Sequence, residues 1–229
     1  MIGIICAMQI EAEGILAISE ALGSEEINGM TFRRARLNGK ELVVVVCGVG
    51  KVNAAICAVT LINRYHPELV INSGVAGALS PLVSIGDIVV GTRAVEHDMN
   101  TTALGDKQGE VSFPDGKLMF FECDRNACQK LFRICKNLPD TKTVQGIVAS
   151  GDIFVSDRRK RMLINDRFGA LCCEMEGAAI GHACCCCDTP FAIIRAISDD
   201  LEENKGVDFM KFCALAAEKT VAVIEGFVG

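Results

Sequence analysis

The sequence predicts a single-domain α/β fold with a mainly parallel or mixed central β-sheet flanked by helices. Short β-rich runs alternate with segments of helical apolar spacing, the pattern of strands joined by crossover helices. The chain has 229 residues, half of them hydrophobic, enough for one substantial core. No linker-like stretch and no repeat at a fixed period divides it, so one domain over 1–229 is expected.

From the N-terminus, "IGIICA" (2–7) is an uninterrupted apolar run and reads as a buried strand. "TFRRARLNGKELVVVVCG" reads as a hairpin, because Asn38-Gly39 suits the two positive-φ positions of a type I′ turn. "KVNAAICAVTLINRYH" has helical apolar spacing after the loop Gly48-Val49-Gly50. "ELVINSGVAG" reads as a strand ending in a Gly-rich turn, and "GDIVVGTRAVEH", "GIVASGD" and "PFAIIRAISDD" repeat the strand form. A small-residue helix, "GAAIGHA", comes after Glu176. The last helix is expected at roughly 206–228, with Phe209, Phe212, Leu215, Ala216 and Val223 as its apolar positions. Residues 98–120 form the longest irregular stretch, and loops of that length are commonly functional or part of an interface.

Ligands of open α/β sheets bind outside the carboxyl ends of the strands. Five such ends are notable here: Met8 to Glu11; Ser73-Gly74-Val75-Ala76-Gly77; Gly151-Asp152-Ile153-Phe154; Glu174-Met175-Glu176; and Asp199-Asp200. Four carry acids and the fifth is rich in glycine. Glu174 and Glu176, two apart on an extended segment, are expected to point to the same side. As a pair at a helix N-terminus they would favour the helix dipole; facing a ligand, one carboxylate can accept from both hydroxyls of a ribose. Asp199 and Asp200 either cap the next element of the chain or supply a proton to a leaving group.

Other features carry less. Cys184 to Cys187 are consecutive, so on a helix their sulfurs sweep through about 300° and cannot close one tetrahedral metal site. Cysteine is a small, readily buried hydrophobe, and the run is expected to be core filler. "GVAG" and "CGVGK" match neither phosphate-loop nor dinucleotide fingerprints. His66, His97 and His182 are dispersed and sit in no metal motif. No metal and no cofactor is called for.

The net charge of −6 excludes a sequence-independent nucleic-acid binder, which needs a basic face, and an anionic membrane surface as partner. The N-terminus lacks a basic segment and runs into Glu11 and Glu13, and no apolar run reaches membrane-spanning length. The expected compartment is the cytoplasm, where thirteen cysteines stay reduced.

Taken in order, "IGIICAMQIEAEGIL", "CGVGKVNAA", "INSGVAGAL", "GDIVV", "ASGDIFV", "CCEMEGAAIGHAC" and "PFAIIRAISDD" make the chain resemble the methylthioadenosine/S-adenosylhomocysteine nucleosidases of the nucleoside phosphorylase superfamily, nearly end to end. The resemblance implies a nucleoside-phosphorylase-like fold, a homodimer, a small-molecule nucleoside substrate and hydrolysis of its adenine–ribose bond. It implies Glu11 as the base that orients water at the anomeric carbon and Asp199 as the acid at adenine N7. Glu176 would hold the 2′ and 3′ hydroxyls, with Glu174 beside it; Met8 and Met175 would pack on the sugar. Phe154 would stack on adenine while the backbone at Val155 reads its edge. Val75, Ala76 and Gly77 would line the site, Arg195 support the water, and Phe209 line the 5′ pocket. Thr101, Leu104 and Pro114 would reach the 5′ pocket of the partner subunit. Val75 stands where many relatives have serine, which removes one polar contact.

Three competing functions remain on the sequence. A phosphate-dependent purine nucleoside phosphorylase needs arginines at the scissile bond, and the loop with Glu11 offers none. A hydrolase of a related nucleoside, aminodeoxyfutalosine, would use identical acids. A non-catalytic nucleoside binder would not require a proton donor at N7.

Overall fold

The computed structural model describes residues 1–199, 201 and 209–229, the side chains of 209–213 and 216 excepted. The strands expected from apolar runs form: β1 (Ile2–Cys6), β3 (Met30–Leu37), β4 (Lys40–Val46), β5 (Leu69–Ala78), β6 (Ile88–Glu96), β10 (Thr143–Ser150), β11 (Ala170–Glu174) and β12 (Phe191–Asp199). Asn38 and Gly39 both adopt positive φ, 52° and 79°, as a type I′ turn demands, and Leu37 pairs with Lys40 across it. An unforeseen strand, β2 (Glu20–Ile27), adds a second hairpin to β3 through Asn28-Gly29, again at positive φ. Its side chains are mostly exposed, so no buried face marked it in the sequence.

The sheet order is β11-β10-β6-β12-β5-β1-β4-β3-β2, and β9 (Phe121–Glu122) pairs with β6. β1, β4, β5 and β12 run parallel to one another; β6, β10 and β11 run parallel among themselves and opposite to that set where β12 meets β6 and where β11 meets β5. Pairing of Cys172 with Ala78 and Cys173 with Gly77 brings β11 back to β5, so β5, β12, β6, β10 and β11 close a ring. The helices pack in two groups. α2 (Lys51–Tyr65) lies against α5 (Gly177–Cys186), while α1 (Gln9–Ala17) and α3 (Arg125–Cys135) lie against α6 (Phe209–Val228); α4 (Arg158–Phe168) packs on β10 and β11. No helix among the described residues is long and apolar enough to cross a membrane.

Four expectations need correction. Ser73 to Gly77 are strand, not a turn: β5 continues to Ala78 because β12 pairs with it through Gly77 and β11 takes its far end. Residues 98–120 are less irregular than expected, with a 3-10 turn at Thr102–Leu104 and a small hairpin of β7 (Val111–Phe113) and β8 (Gly116–Leu118). Leu215 is exposed on α6, whereas Val223 is buried; Phe209, Phe212 and Ala216 fall among the side chains outside the described set. Of the cysteine run only Cys184 is core. Cys185 and Cys186 are exposed and Cys187 half-buried, because α5 advances about 100° per residue and ends at Cys186.

Candidate functional site

A cavity of about 220 Å³ opens where the expected strand ends meet. Glu11, Met8, Val75, Ala76, Gly77, Phe154, Val155, Glu174, Met175, Glu176 and Asp199 all line it. A shallower depression of about 270 Å³ lies elsewhere and is lined by Glu68, Asp124 and Lys130 among others. Its acids are already committed, Glu68 to Lys40 and Asp124 to the amide of Ala127 at the start of α3.

Glu11 stands in the first turn of α1, which leaves β1 immediately, and is 2 % exposed. Its Oε2 accepts from the amides of Ala7 and Met8, each at 2.9 Å, and its Oε1 accepts from the amide of Val75 at 3.1 Å. Burial raises its carboxyl above the usual range; the amides and Arg195 pull the other way without prevailing. The approach is possible because residue 74 is glycine: a Cβ there would sit 2.7 Å from Glu11 Oε1. Val75 therefore contributes its backbone to the site as well as its side chain.

Glu174 and Glu176 do not act as a matched pair. Glu174 ends β11 and turns inward, where Oε2 accepts from the amides of Glu176 at 3.0 Å and Gly177 at 2.8 Å and from Arg195 Nη2, while Oε1 accepts from Ser150 Oγ. Its carboxylate thus caps α5 and neutralises Arg195. The chain has already left extended geometry at Glu176, the N-cap of α5, with φ −133° and ψ −39°, so the period-two argument fails there. Glu176 turns to the α2 side, and its Oε1 accepts from the amide of Gly50 at 2.8 Å. Burial, then the charge of Glu174, pushes its carboxyl up to about 7.

Arg195, 2 % exposed, lies beneath the cavity rather than in its lining. It donates to Glu174 and to the side chain of Asn72, and its charge lowers both Glu11 and Glu176.

Asp199 closes β12 at the opposite wall, its Oδ1 accepting from Ser198 Oγ at 3.0 Å and its Oδ2 from Arg161 Nη2. Arg161 is a charged residue of the cavity that the sequence did not reveal. Within the basic run "DRRKR", this fourth residue of α4 is 4 % exposed and lines the cavity. Its Nε donates to Val155 O at 2.8 Å and its Nη1 to Ala78 O at 3.4 Å. Glycine again makes the room: a Cβ at Gly77 would lie 2.8 Å from Asp199 Oδ2 and 3.3 Å from Arg161 Nη2. Val49, Cys173 and Ser198 also line the cavity, beyond the residues expected there. Phe154 is 60 % exposed at the cavity wall, well placed for stacking on a planar ligand.

Other expected residues are not brought together by one chain. Thr101 Oγ1 is bonded to Asp106, Leu104 is 82 % exposed, Pro114 is exposed, and none of the three lines the cavity. Asp200 and the side chain of Phe209 lie outside the described residues. Among those described, no group of three or more His, Cys, Asp or Glu side chains is arranged to hold a metal. The lining is apolar with acids at two ends, the make-up of a site for a small, largely uncharged ligand whose reaction develops positive charge.

Residues 1–229 match the family model of the phosphorylase superfamily. A 5′-methylthioadenosine/S-adenosylhomocysteine nucleosidase of Shewanella pealeana is 36 % identical over 231 residues, covering 97 % of this chain and 96 % of that protein. The solved nucleosidase of the same name from Neisseria meningitidis, in complex with methylthio-immucillin-A, superposes with a TM-score of 0.92 at 31 % identity, over 99 % of this chain and 97 % of that one. A futalosine hydrolase of Helicobacter pylori superposes with a TM-score of 0.91 at 26 % identity, over 99 % and 96 %.

Proposed function

The chain belongs to the phosphorylase superfamily and, within it, to the 5′-methylthioadenosine/S-adenosylhomocysteine nucleosidases, and on that premise we propose that its cavity hydrolyses the N-glycosidic bond of both nucleosides. The products are adenine and the 5-thioribose. The observation that carries this reading is the convergence of Glu11, Glu176 and Asp199 on one cavity of nucleoside dimensions.

Adenine leaves poorly until N7 is protonated, and Asp199 supplies that proton. As the bond stretches, the sugar becomes oxocarbenium-like, and the carboxylates beside it stabilise its charge. Glu11, fixed by three amides, accepts a proton from the attacking water. General acid and general base steps each contribute roughly 10²- to 10⁴-fold. Glu176 binds the 2′ and 3′ hydroxyls, Met8 and Met175 pack on the sugar, and Phe154 stacks on the base. The backbone around Phe154 and Val155 reads the edge of adenine; Val155 O accepts one hydrogen bond from Arg161 Nε and keeps a second lone pair. Arg195 holds Glu174 and biases Glu11 and Glu176 toward their charged forms. No metal or organic cofactor is needed for this chemistry.

Phosphorolysis is disfavoured at this site. The buried Arg195 is committed to Glu174 and Asn72, and Arg161 to Asp199, while the nucleophile's position faces Glu11. The likeness to a futalosine hydrolase favours a second reading, hydrolysis of a related nucleoside with a larger 5′ group. Each nucleoside, supplied with and without phosphate, separates these readings: free pentose in both conditions is expected, and pentose 1-phosphate would overturn hydrolysis.

The active species is a homodimer. Val52, Ile56 and Val59 form an exposed apolar stripe on α2 beside Val49 of the cavity wall. Leu104 projects from the same kind of exposed surface and closes the 5′ pocket of the partner subunit, together with Thr101 and Pro114. The thiol-rich interior suits the reducing cytoplasm.

A further inference from the structure

The amide of Gly50, which holds Glu176, lies next to a charged cluster whose residues do not line the cavity. Gly50 has φ +101°, and a Cβ there would lie 3.1 Å from Asp152 Oδ1. The next amide, that of Lys51, donates to the same Asp152 Oδ1 at 2.7 Å. The Lys51 ammonium donates to Asp98 Oδ1 at 2.7 Å and Glu96 Oε2 at 3.0 Å. Asp98 Oδ2 accepts from the amide of Asp152 at 2.9 Å, so one carboxylate joins the Lys51 side chain to the loop that grips the Lys51 backbone. Glu96 is shared with His182 of α5, whose ring stacks on Phe121. The end of β6, the start of α2, the loop after β10 and the body of α5 are thereby tied at one point. The Lys51 and Asp98 side chains are each less than one-fifth exposed, and neither residue lines the cavity.

We propose that Lys51 is a positioning residue for sugar binding: its ammonium, clamped between Glu96 and Asp98, fixes the Gly50 amide so that the Glu176 carboxylate is aimed at the ribose diol. The inference rests on the reading of Glu176 as the diol-binding residue. Lys51 acts through the backbone of its neighbour, not by contact with substrate.

The electrostatics around Glu176 provide a readout that a merely structural residue would not move. Burial raises the Glu176 carboxyl, and Glu174 from β11 and Glu11 from α1, which face it, raise it further; the Gly50 amide from the start of α2 and Arg195 from β12 lower it. Loosening that amide therefore favours the protonated acid and moves the acidic limb of kcat/KM to higher pH.

The test compares Lys51→Met, Lys51→Arg, Asp98→Asn and Glu176→Gln on 5′-methylthioadenosine and its 3′-deoxy analogue. The diol reading is judged first and separately: Glu176→Gln must lose more on the riboside than on the deoxy analogue, and equal losses there would refute the role of Glu176 itself. With that established, Lys51→Met should raise KM for the riboside about ten-fold, about the worth of one charge-assisted hydrogen bond, and change the deoxy analogue much less. Its acidic limb should move up, kcat at high pH should fall little, Lys51→Arg should restore most of the loss, and Asp98→Asn should reproduce it in weaker form. Equal losses on both substrates, or an unmoved acidic limb in both Lys51→Met and Asp98→Asn, would overturn the proposal. If Lys51→Met does not fold, Asp98→Asn and Lys51→Arg decide it alone.

Discussion

Arg161 Nη2 donates to Asp199 Oδ2 at the base end of the cavity, joining the first turn of α4 to the last residue of β12. The pair fits because residue 77 has no side chain. Gly77→Ala should push the Asp199 carboxylate aside and lower turnover at least ten-fold with the fold intact. A Gly77→Ala enzyme with parental kcat would show that Asp199 has no narrow positional requirement.

Arg161→Met removes one partner of this pair and strips Val155 O and Ala78 O of a donor. Breaking a largely buried pair from one side costs about 3 kcal/mol. Urea unfolding should register a loss of that size; a loss below about 1 kcal/mol would mean that solvent replaces the guanidinium freely.

Asp199→Asn keeps the size and hydrogen-bonding capacity of the side chain but cannot transfer a proton. Adenine release should fall by about 10²- to 10⁴-fold while ground-state binding is kept. The loss should be much smaller for a nucleoside whose leaving group needs no protonation. Equal losses on both would contradict the assignment.

Glu11→Gln should likewise remove most of the turnover, with cationic transition-state mimics binding more weakly than to the parent. Phosphate should not rescue Asp199→Asn, which keeps Glu11, since like-charge repulsion near Glu11 is of order several kcal/mol at an effective dielectric near 20. Phosphate-dependent turnover in the parent or in Glu11→Gln would move the enzyme out of the hydrolases.

Glu176 makes stability depend on pH. Its carboxyl lies at about 7 in the folded chain against an ordinary 4.5. An acid raised by folding supports the folded state while protonated, so its contribution is complete below about pH 4.5 and is lost as pH rises through 7. That difference amounts to about 3 kcal/mol by pH 8. Glu176→Gln should match the parent near pH 4.5 and be more stable at pH 8, though less active. Equal stability of the two proteins at pH 8 would refute the cost assigned to this carboxylate.

The α2 stripe gives the assembly its test. Val52 is 69 % exposed, and Val52→Asp together with Ile56→Asp should yield a folded monomer by sedimentation with a weakened affinity for 5′-thio substrates. A fully active monomer would remove the partner subunit from the site.

Much of this protein was determined by its sequence alone. Apolar runs set the main strands, Asn38-Gly39 set its turn, and four acids marked the strand ends that meet at the cavity, because period, turn chemistry and residue type are local properties. Tertiary structure decided the rest. Ser73 to Gly77 became strand only because β11 and β12, about a hundred residues away, supply the pairing partners. Of the two neighbouring acids, both at the cavity, Glu174 spends its carboxylate on α5 and Arg195 while Glu176 turns to Gly50, a split made by the backbone leaving extended geometry between them. The packing of α4 aims Arg161 at Asp199, and Cys184 parts from Cys185 by one step of the helix. In each case the deciding quantity was how backbone or side chain stands relative to neighbouring elements in the fold, which no local pattern encodes.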